Sequence, residues 1–117
     1  MTELEIIHEM AERIIKERGK TYTNILDASI REFGFNIGAK FYRFERNDLF
    51  KLTAGKDDIN PDTTLDLINY LIYCLIKTGA YKKHPQYKRI ISKTAEKKEK
   101  DNKQQGLIYF NALRKDR

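Results

Sequence analysis

Residues 57–70 decide the fold of this chain, and they read Asp57-Asp58-Ile59-Asn60-Pro61-Asp62-Thr63-Thr64-Leu65-Asp66-Leu67-Ile68-Asn69-Tyr70. Asn60 predicts an N-terminal helix cap, and Pro61 suits the first helical position because it has no N–H to leave unpaired. Asp62 falls in the first turn, where the helix dipole favours an anion. Apolar residues continue to Thr78, and Gly79 is typical of the left-handed residue that ends a helix. We therefore expect a helix from about Pro61 to Thr78.

This predicted helix carries two carboxylates and an amide on one stripe. Asp62, Asp66 and Asn69 recur at steps of four and three, and the rise of ~1.5 Å per residue separates the carboxylates by about 6 Å along the axis. Asp62 also suits the ordinary role of a first-turn acid. Asp66 and Asn69 lie among apolar residues, so we expect both to be partly buried. A buried carboxylate needs a partner, which is a metal ion, an Arg or Lys, or a backbone donor.

The composition predicts an all-α chain. It has 117 residues, only two prolines and six glycines, and long apolar periods, so we expect one domain built as a four- to five-helix bundle with a basic C-terminal helical tail. The single cysteine, Cys74, excludes an internal disulfide and is expected to be a small buried hydrophobe. The sequence shows no run of about 18 apolar residues and no signal peptide, which predicts a cytoplasmic protein without a membrane partner.

Charge divides the chain into an acidic body and a basic tail. Residues 1–80 carry 11 Lys/Arg and 13 Asp/Glu, net −2, whereas residues 81–117 carry 12 and 4, net +8. We take 1–80 as the helical domain and 81–117 as an extension that packs on the same domain or on a partner subunit. The tail either binds phosphates or is a solvated helix face. Its apolar segment Leu107–Phe110 needs a covering surface, which predicts a homo-oligomer.

The apolar periodicity predicts five helical segments. They are residues 3–18, stopped by Gly19; 24–33, stopped by Gly34; 36–54; 61–78; and 86–104.

The third segment carries Glu45 and Asp48 at positions i and i+3, which predicts a second acidic face. Because only the short loop 54–57 joins the third and fourth helices, we expect these acids to approach Asp58, Asp62 and Asp66. All-oxygen ligands suit Mg²⁺, or Mn²⁺, and not zinc. Neither His8 nor His84 has a spacing typical of a metal or catalytic site.

These acids resemble the paired motifs of the all-α nucleoside triphosphate pyrophosphohydrolases, the MazG-like group that includes dimeric dUTPases. Asp57-Asp58 followed by the run from Asp62 to Tyr70 is most similar to a small phage family, the nucleotide modification associated domain, which has an Asp-Glu pair and then Asp-Thr-x-x-Asp-x-x-Asn-Tyr. Lys20-Thr21-Tyr22 and Phe33-Gly34 are also similar to segments flanking the second helix of that family. The resemblance covers about residues 4–79. The Glu-x-x-Glu of MazG enzymes is absent, and Asp48 stands at its second acidic position.

The resemblance implies Mg²⁺-dependent hydrolysis of a nucleoside triphosphate to the monophosphate and pyrophosphate, in phage or bacterial nucleotide metabolism. It implies catalytic roles for four acids that also bind the metal: Asp62 and Asp66 on one side, and Glu45 and Asp48 opposite them, of which one can orient the water. Asp58 is expected as a fifth metal ligand or as a group that supports the ligands. The residues expected to bind the nucleotide are Lys40, Arg43, Arg46, Lys51, Asn69 and Tyr70. Two alternatives stay open: a nucleotide-binding or sequestering module without turnover, and a nucleic-acid-binding helical protein that uses the basic tail.

Overall fold

The structure is a computed structural model that describes residues 1–105, and within that range it contains helices and no strand. The helices are α1 (Glu3–Glu17), α2 (Gly19–Asp27), α3 (Ile30–Phe44), α4 (Phe50–Thr53), α5 (Pro61–Thr78) and α6 (Pro85–Gln105), with a π-helical turn at Glu45–Leu49 and a 3-10 turn at Ala80–Lys83. The all-α helical fold expected from the sequence is confirmed. None of the described helices is long and apolar enough to cross a membrane.

Helix α5 has the predicted boundaries. The side chain of Asn60 caps its start, because Oδ1 accepts hydrogen bonds from the backbone N–H groups of Asp62 at 2.9 Å and Thr63 at 3.3 Å. At its other end Gly79 has φ 71°, the left-handed conformation that favours glycine. Both ends of this helix are therefore fixed by local sequence.

The predicted second helix, residues 24–33, is wrong in position. Helix α2 begins at Gly19, and the chain is extended at Ala28 and Ser29 before α3 starts at Ile30. The Ser29 hydroxyl accepts a 3.1 Å hydrogen bond from the backbone N–H of Glu32, so Ser29 is a helix cap. Gly34 therefore does not stop a helix, because it lies inside α3. The first helix was predicted correctly, since α1 ends at Glu17 and a new helix, α2, begins at Gly19.

The chain divides into two compact units, Met1–Thr78 and a second one that begins at Gly79. In the first unit α5 packs against both α1 and α3. Its core centres on Tyr22, Ile25, Phe33 and Tyr70, with Ile14, Ile15, Ile37, Tyr73 and Cys74 packed around it. Cys74 is half-buried beside this core, as expected for a small hydrophobe. Lys77 also donates to the backbone carbonyl of Leu26, which ties the end of α5 to α2.

The second unit contains the 3-10 turn and α6, which begins at the predicted Pro85 turn. Within it Tyr81 and Tyr87 make an edge-to-face contact with 5.5 Å between ring centroids. The helix predicted for residues 86–104 is confirmed by α6. The segment Leu107–Phe110, on which the expectation of an oligomer rests, lies outside the described residues.

Candidate functional site

Asp66 is the centre of a charged cluster at the N-terminal half of α5. Its Oδ2 lies 2.9 Å from Nζ of Lys40 on α3, and its Oδ1 accepts a 2.8 Å hydrogen bond from the Tyr22 hydroxyl on α2. The guanidinium of Arg18, between α1 and α2, lies 4.0 Å from the same Oδ1. The side chain of Asp66 is only 15% exposed. A buried carboxylate was expected to need a partner, and Asp66 has three: the Lys40 ammonium, the Arg18 guanidinium and the Tyr22 hydroxyl.

Arg18 joins the two acids of the α5 stripe. While its Nη1 faces Asp66, its Nη2 lies 3.2 Å from Oδ1 of Asp62, which is the more exposed carboxylate. One guanidinium group therefore spans both carboxylates, as the planar fork of arginine allows. We call Arg18, Lys40, Asp62 and Asp66 the charge cluster. It holds two positive and two negative groups, so it is neutral as a whole.

The floor beneath the charge cluster is a buried polar network. Asn69 is 0% exposed, and its Nδ2 donates to the backbone carbonyl of Ala11 at 3.0 Å and to the Tyr22 oxygen at 3.4 Å. This network links α1, α2 and α5 at a single point. The Oδ1 atom of Asn69 is buried without a hydrogen-bond partner. The burial predicted for Asp66 and Asn69 is thus confirmed, and Asn69 positions Tyr22.

The two tyrosines of this floor have perturbed acidities. Burial, together with the hydrogen bond to Asp66, raises the pKa of Tyr22 to about 12, although the hydrogen bond from Asn69 opposes the shift. Burial also raises the pKa of Tyr70, and Lys40 acts in the opposite sense. The Tyr22 ring stacks on Tyr73 with 5.1 Å between centroids, and the Lys40 ammonium lies 5.2 Å from the Tyr70 ring centroid. Both raised pKa values favour the neutral phenol, and Tyr22 is in addition held by its hydrogen bonds to Asp66 and Asn69.

Asp48 has a separate, structural environment. It is 1% exposed, and its Oδ1 accepts a 3.2 Å hydrogen bond from the backbone N–H of Asn60, the residue that caps α5. Its Oδ2 is buried without a partner. Asp48 therefore anchors the loop that leads into α5. A buried acid with one unpaired oxygen is a costly arrangement unless a further group binds there.

Glu45 and Asp48 do not share a face as predicted. Glu45 is exposed and lines a groove on the outer side of the helix, whereas Asp48 points inward. The physical reason is the π-helical turn at Glu45–Leu49, in which each residue advances by a smaller angle than in an α-helix, so three residues no longer return to the same side.

The remaining predicted site residues are dispersed. Asp58 is 85% exposed and lies 3.5 Å from Lys51. Arg46 donates a 2.9 Å hydrogen bond to the Tyr42 hydroxyl on the outer side of the helix, and Arg43 is exposed. Of the basic residues expected to bind a nucleotide, the structure brings only Lys40 to Asp66. Asn69 and Tyr70 lie in the buried floor beneath it.

Two members of this site were not assigned to it from the sequence, Arg18 and Tyr22. Tyr22 belongs to the segment Lys20-Thr21-Tyr22, which carries part of the resemblance, so its sequence context contained a usable signal. Arg18 lies next to Gly19 at the end of a predicted surface helix, where a basic residue is ordinary. Its contact with Asp62 joins residues 44 positions apart, and nothing in the local pattern indicates that contact.

The described acidic side chains offer at most a two-carboxylate site for Mg²⁺. Among the side chains that the structure describes, no group of three or more His, Cys, Asp or Glu is placed to hold a metal ion. Mg²⁺ is nevertheless commonly bound by one or two carboxylates together with ligand phosphates and water. Asp62 and Asp66, which share one guanidinium, fit that two-carboxylate arrangement. The five-acid metal site stays a prediction, and these two acids are its best supported part.

Comparison of the chain with models of protein families, with curated proteins and with solved structures gave no match.

Proposed function

We propose that the charge cluster binds the Mg²⁺ complex of a nucleoside triphosphate. The observation that carries this proposal is the meeting of two carboxylates and two cations, Arg18 and Lys40, beside the start of α5. Each of these four groups is neutralised by the others. A ligand that brings both phosphates and a cation can replace the ion pairs within the cluster: its phosphates would pair with Arg18 and Lys40, and its cation with Asp62 and Asp66.

The exchange of partners follows from charge. Phosphate oxygens would accept hydrogen bonds from both cations. The planar Arg18 guanidinium can donate two parallel hydrogen bonds to one phosphate, and the Lys40 ammonium acts as a point charge. Asp62 and Asp66, released from these cations, would hold Mg²⁺, which supplies positive charge against the triphosphate when it is bound. The Tyr22 hydroxyl continues to orient Asp66 through its hydrogen bond. Binding of the nucleotide and of Mg²⁺ is therefore expected to be mutually dependent.

The proposed activity is hydrolysis to the nucleoside monophosphate and pyrophosphate. A water molecule adds to the α-phosphorus, the bond from that phosphorus to the bridging oxygen breaks, and pyrophosphate leaves. This part of the proposal rests on the resemblance to the MazG-like group. Two further carboxylates would complete the site. Glu45 lines the outer groove, and Asp48 is bonded to the backbone N–H of Asn60.

A second candidate is a nucleotide-sequestering module, which binds the ligand without turnover. The dispersal of the acids favours it, because Asp62 and Asp66 are the only carboxylates among the described side chains that meet at the charge cluster. The two candidates share their ligand and differ in product. A single experiment on one sample therefore separates them.

The test measures binding and turnover together. The full-length protein is mixed with each nucleoside triphosphate, with and without Mg²⁺, and bound nucleotide and released pyrophosphate are both quantified. We expect Mg²⁺-dependent binding of at least one nucleotide. Pyrophosphate release indicates the hydrolase, and tight binding without release indicates the sequestering module. A protein that binds no triphosphate in the presence of Mg²⁺ contradicts both.

Matched variants locate the binding site. Loss of one charged hydrogen bond costs about 1.5–3 kcal/mol, so Lys40→Gln should raise the nucleotide Kd roughly tenfold or more. Lys51→Gln is the control, because Lys51 pairs with the exposed Asp58 and not with the charge cluster. Arg18→Gln and Arg13→Gln form a second pair, since Arg13 lies on α1 and pairs with Glu9. Equal effects of both members of a pair would place the ligand elsewhere.

A further inference from the structure

Helix α5 has a second apolar face, opposite the core. Its members recur at the spacing of one helix face, and they are Ile68, Leu71, Ile72, Leu75 and Ile76. Four of them, all except the half-buried Ile68, are between 41% and 49% exposed. A helix that is apolar all round is normally packed on all sides, but α1, α2 and α3 contact α5 through its opposite face, which carries Asp66, Tyr70 and Tyr73. The packing of Met1–Thr78 therefore leaves this outer face partly exposed.

Helix α1 continues the same apolar surface. Leu4, which is 64% exposed, and Ile7, which is 45% exposed, line a groove of about 620 Å³ together with Ile68 and Ile72 of α5. We call this surface, with the rest of the α5 outer face, the α1/α5 surface. Six of its large apolar side chains are each more than two-fifths exposed. Contiguous apolar patches beyond a few hundred Å² are rare on monomers and mark interaction sites.

The α1 and α5 helices run antiparallel, which defines the shape of this surface. Arg18, at the end of α1, contacts Asp62 at the start of α5, and Ala11 contacts Asn69 near the middle of each helix. Two antiparallel helices form a shallow trough that another pair of helices fits well by packing ridges into grooves.

Charge along α1 indicates which helices cover this surface. Residues 3–12 carry Glu3, Glu5, Glu9 and Glu12 without a Lys or Arg, net −4. Residues 13–18 carry Arg13, Lys16 and Arg18 against Glu17, net +2. When two copies of α1 lie antiparallel, the acidic half of each faces the basic half of the other. The helix is thus electrostatically complementary to an inverted copy of itself.

We propose that a second copy of this chain covers the α1/α5 surface, with the two α1 helices antiparallel across a two-fold axis. The same apolar face is then buried on both subunits, as a two-fold interface requires. The proposal goes beyond the nucleotide site, because it rests on the outer face of α5 and on the charge pattern of α1. It places the contact within Met1–Thr78 and does not involve Leu107–Phe110.

Sedimentation velocity of the full-length protein tests the interface. We expect a dimer for the parent and a monomer for Ile72→Glu, because a carboxylate placed at the centre of an apolar contact should raise the dimer Kd on the order of a hundredfold. Phe50→Glu is the control, since Phe50 is 71% exposed and lies on α4, away from this surface. Circular dichroism confirms that each variant keeps its helices.

Charge reversal tests the antiparallel orientation. Glu5 and Lys16 lie near opposite ends of α1, so the proposed arrangement brings Glu5 of each copy towards Lys16 of the other. Lys16→Glu should weaken the dimer roughly fivefold, and Glu5→Lys in the same chain should restore it. A monomeric parent, a dimer that survives Ile72→Glu, or a double variant that dimerises no more tightly than Lys16→Glu would each overturn the proposal.

Discussion

The hydroxyl group of Tyr22 donates a 2.8 Å hydrogen bond to Oδ1 of Asp66, which lies 44 residues further along the chain. Tyr22 is almost fully buried, and it also receives a hydrogen bond from Asn69. Loss of the phenol proton would place two negative oxygens side by side in a poorly solvated position. The protonated form of Tyr22 is therefore part of the folded structure.

Stability should fall at alkaline pH because of Tyr22. Its folded pKa is raised to about 12, whereas an unfolded tyrosine titrates near 10. Between these values the folded state binds more protons than the unfolded state, so the stabilisation is complete below pH ~10 and is lost as pH rises towards 12. Urea unfolding at several pH values should show the midpoint falling across this window.

The Tyr22→Phe variant should have a shallower dependence on pH over the same range, because it has no proton to lose at this position. The raised pKa of Tyr70 contributes in the same direction and remains in the variant. Tyr42→Phe, at an exposed position on α3, serves as the control and should keep the slope of the parent. Identical slopes for all three proteins would mean that the Tyr22 proton is not linked to folding.

Removal of Asp66 should destabilise the protein more than removal of Asp58. Asp66→Ala leaves the half-buried Lys40 ammonium and the buried Tyr22 hydroxyl without their acceptor, at a cost of about 1–3 kcal/mol. Asp58→Ala removes only an exposed ion pair with Lys51, worth up to about 1 kcal/mol and in many proteins nothing measurable. Thermal or urea unfolding of both variants without ligand measures the difference.

The same pair of variants separates a structural role of Asp66 from a ligand-binding role. A nucleotide that binds with Mg²⁺ should raise the melting temperature of the parent and of Asp58→Ala, and should have little effect on Asp66→Ala. If Asp66→Ala is destabilised but still gains full stabilisation from Mg²⁺ and nucleotide, then Asp66 is only a partner for Lys40 and Tyr22.

The fold was predictable where local chemistry decides it. Helix α5 was located correctly because Asn60 and Gly79 act on their own neighbouring backbone groups. The second helix was misplaced because Gly34 does not end a helix: a glycine inside a helix costs only about 1 kcal/mol, and packing readily compensates for it. A serine followed three residues later by Glu32 was the stronger signal of a helix start.

Which residues form the site could be predicted only where they lie on the same helix. The stripe of Asp62, Asp66 and Asn69 follows from helical periodicity, and its burial follows from the apolar residues around it. The partners of Asp66 come from α2, α3 and the α1–α2 junction, so they depend on tertiary packing that spacing does not encode. The π-helical turn at Glu45–Leu49 likewise changes which side of the helix Asp48 faces.

Asp48 should be essential for the start of α5. Asp48→Ala removes the acceptor of the Asn60 N–H, and we expect a loss of about 1–3 kcal/mol from leaving that group unpaired. Asp57→Ala, an exposed neighbour in the same loop, should change stability by no more than about 0.5 kcal/mol. Hydrogen exchange of the first-turn amides of α5 should accelerate in Asp48→Ala alone. Equal exchange in both variants would show that Asn60 holds the cap without Asp48.

Deletion of residues 82–105 tests the basic tail separately from the charge cluster. The deleted segment carries nine basic residues (Lys82, Lys83, Lys88, Arg89, Lys93, Lys97, Lys98, Lys100 and Lys103) and three acids (Glu96, Glu99 and Asp101), so 9 − 3 gives a loss of +6. If the tail contacts phosphates of a nucleic acid, affinity for an oligonucleotide should fall and its dependence on salt should become shallower.

Nucleotide binding should survive this deletion, because Arg18, Lys40, Asp62 and Asp66 all lie within the compact unit Met1–Thr78. The measurement compares the Kd for Mg²⁺ and nucleotide, and the salt dependence of oligonucleotide binding, in the parent and the deleted protein. A control that changes only Lys88 and Arg89 to Gln separates loss of charge from loss of the segment. If the deleted protein remains helical but no longer binds nucleotide, the tail contributes groups to the site, and the four residues of the charge cluster are insufficient by themselves.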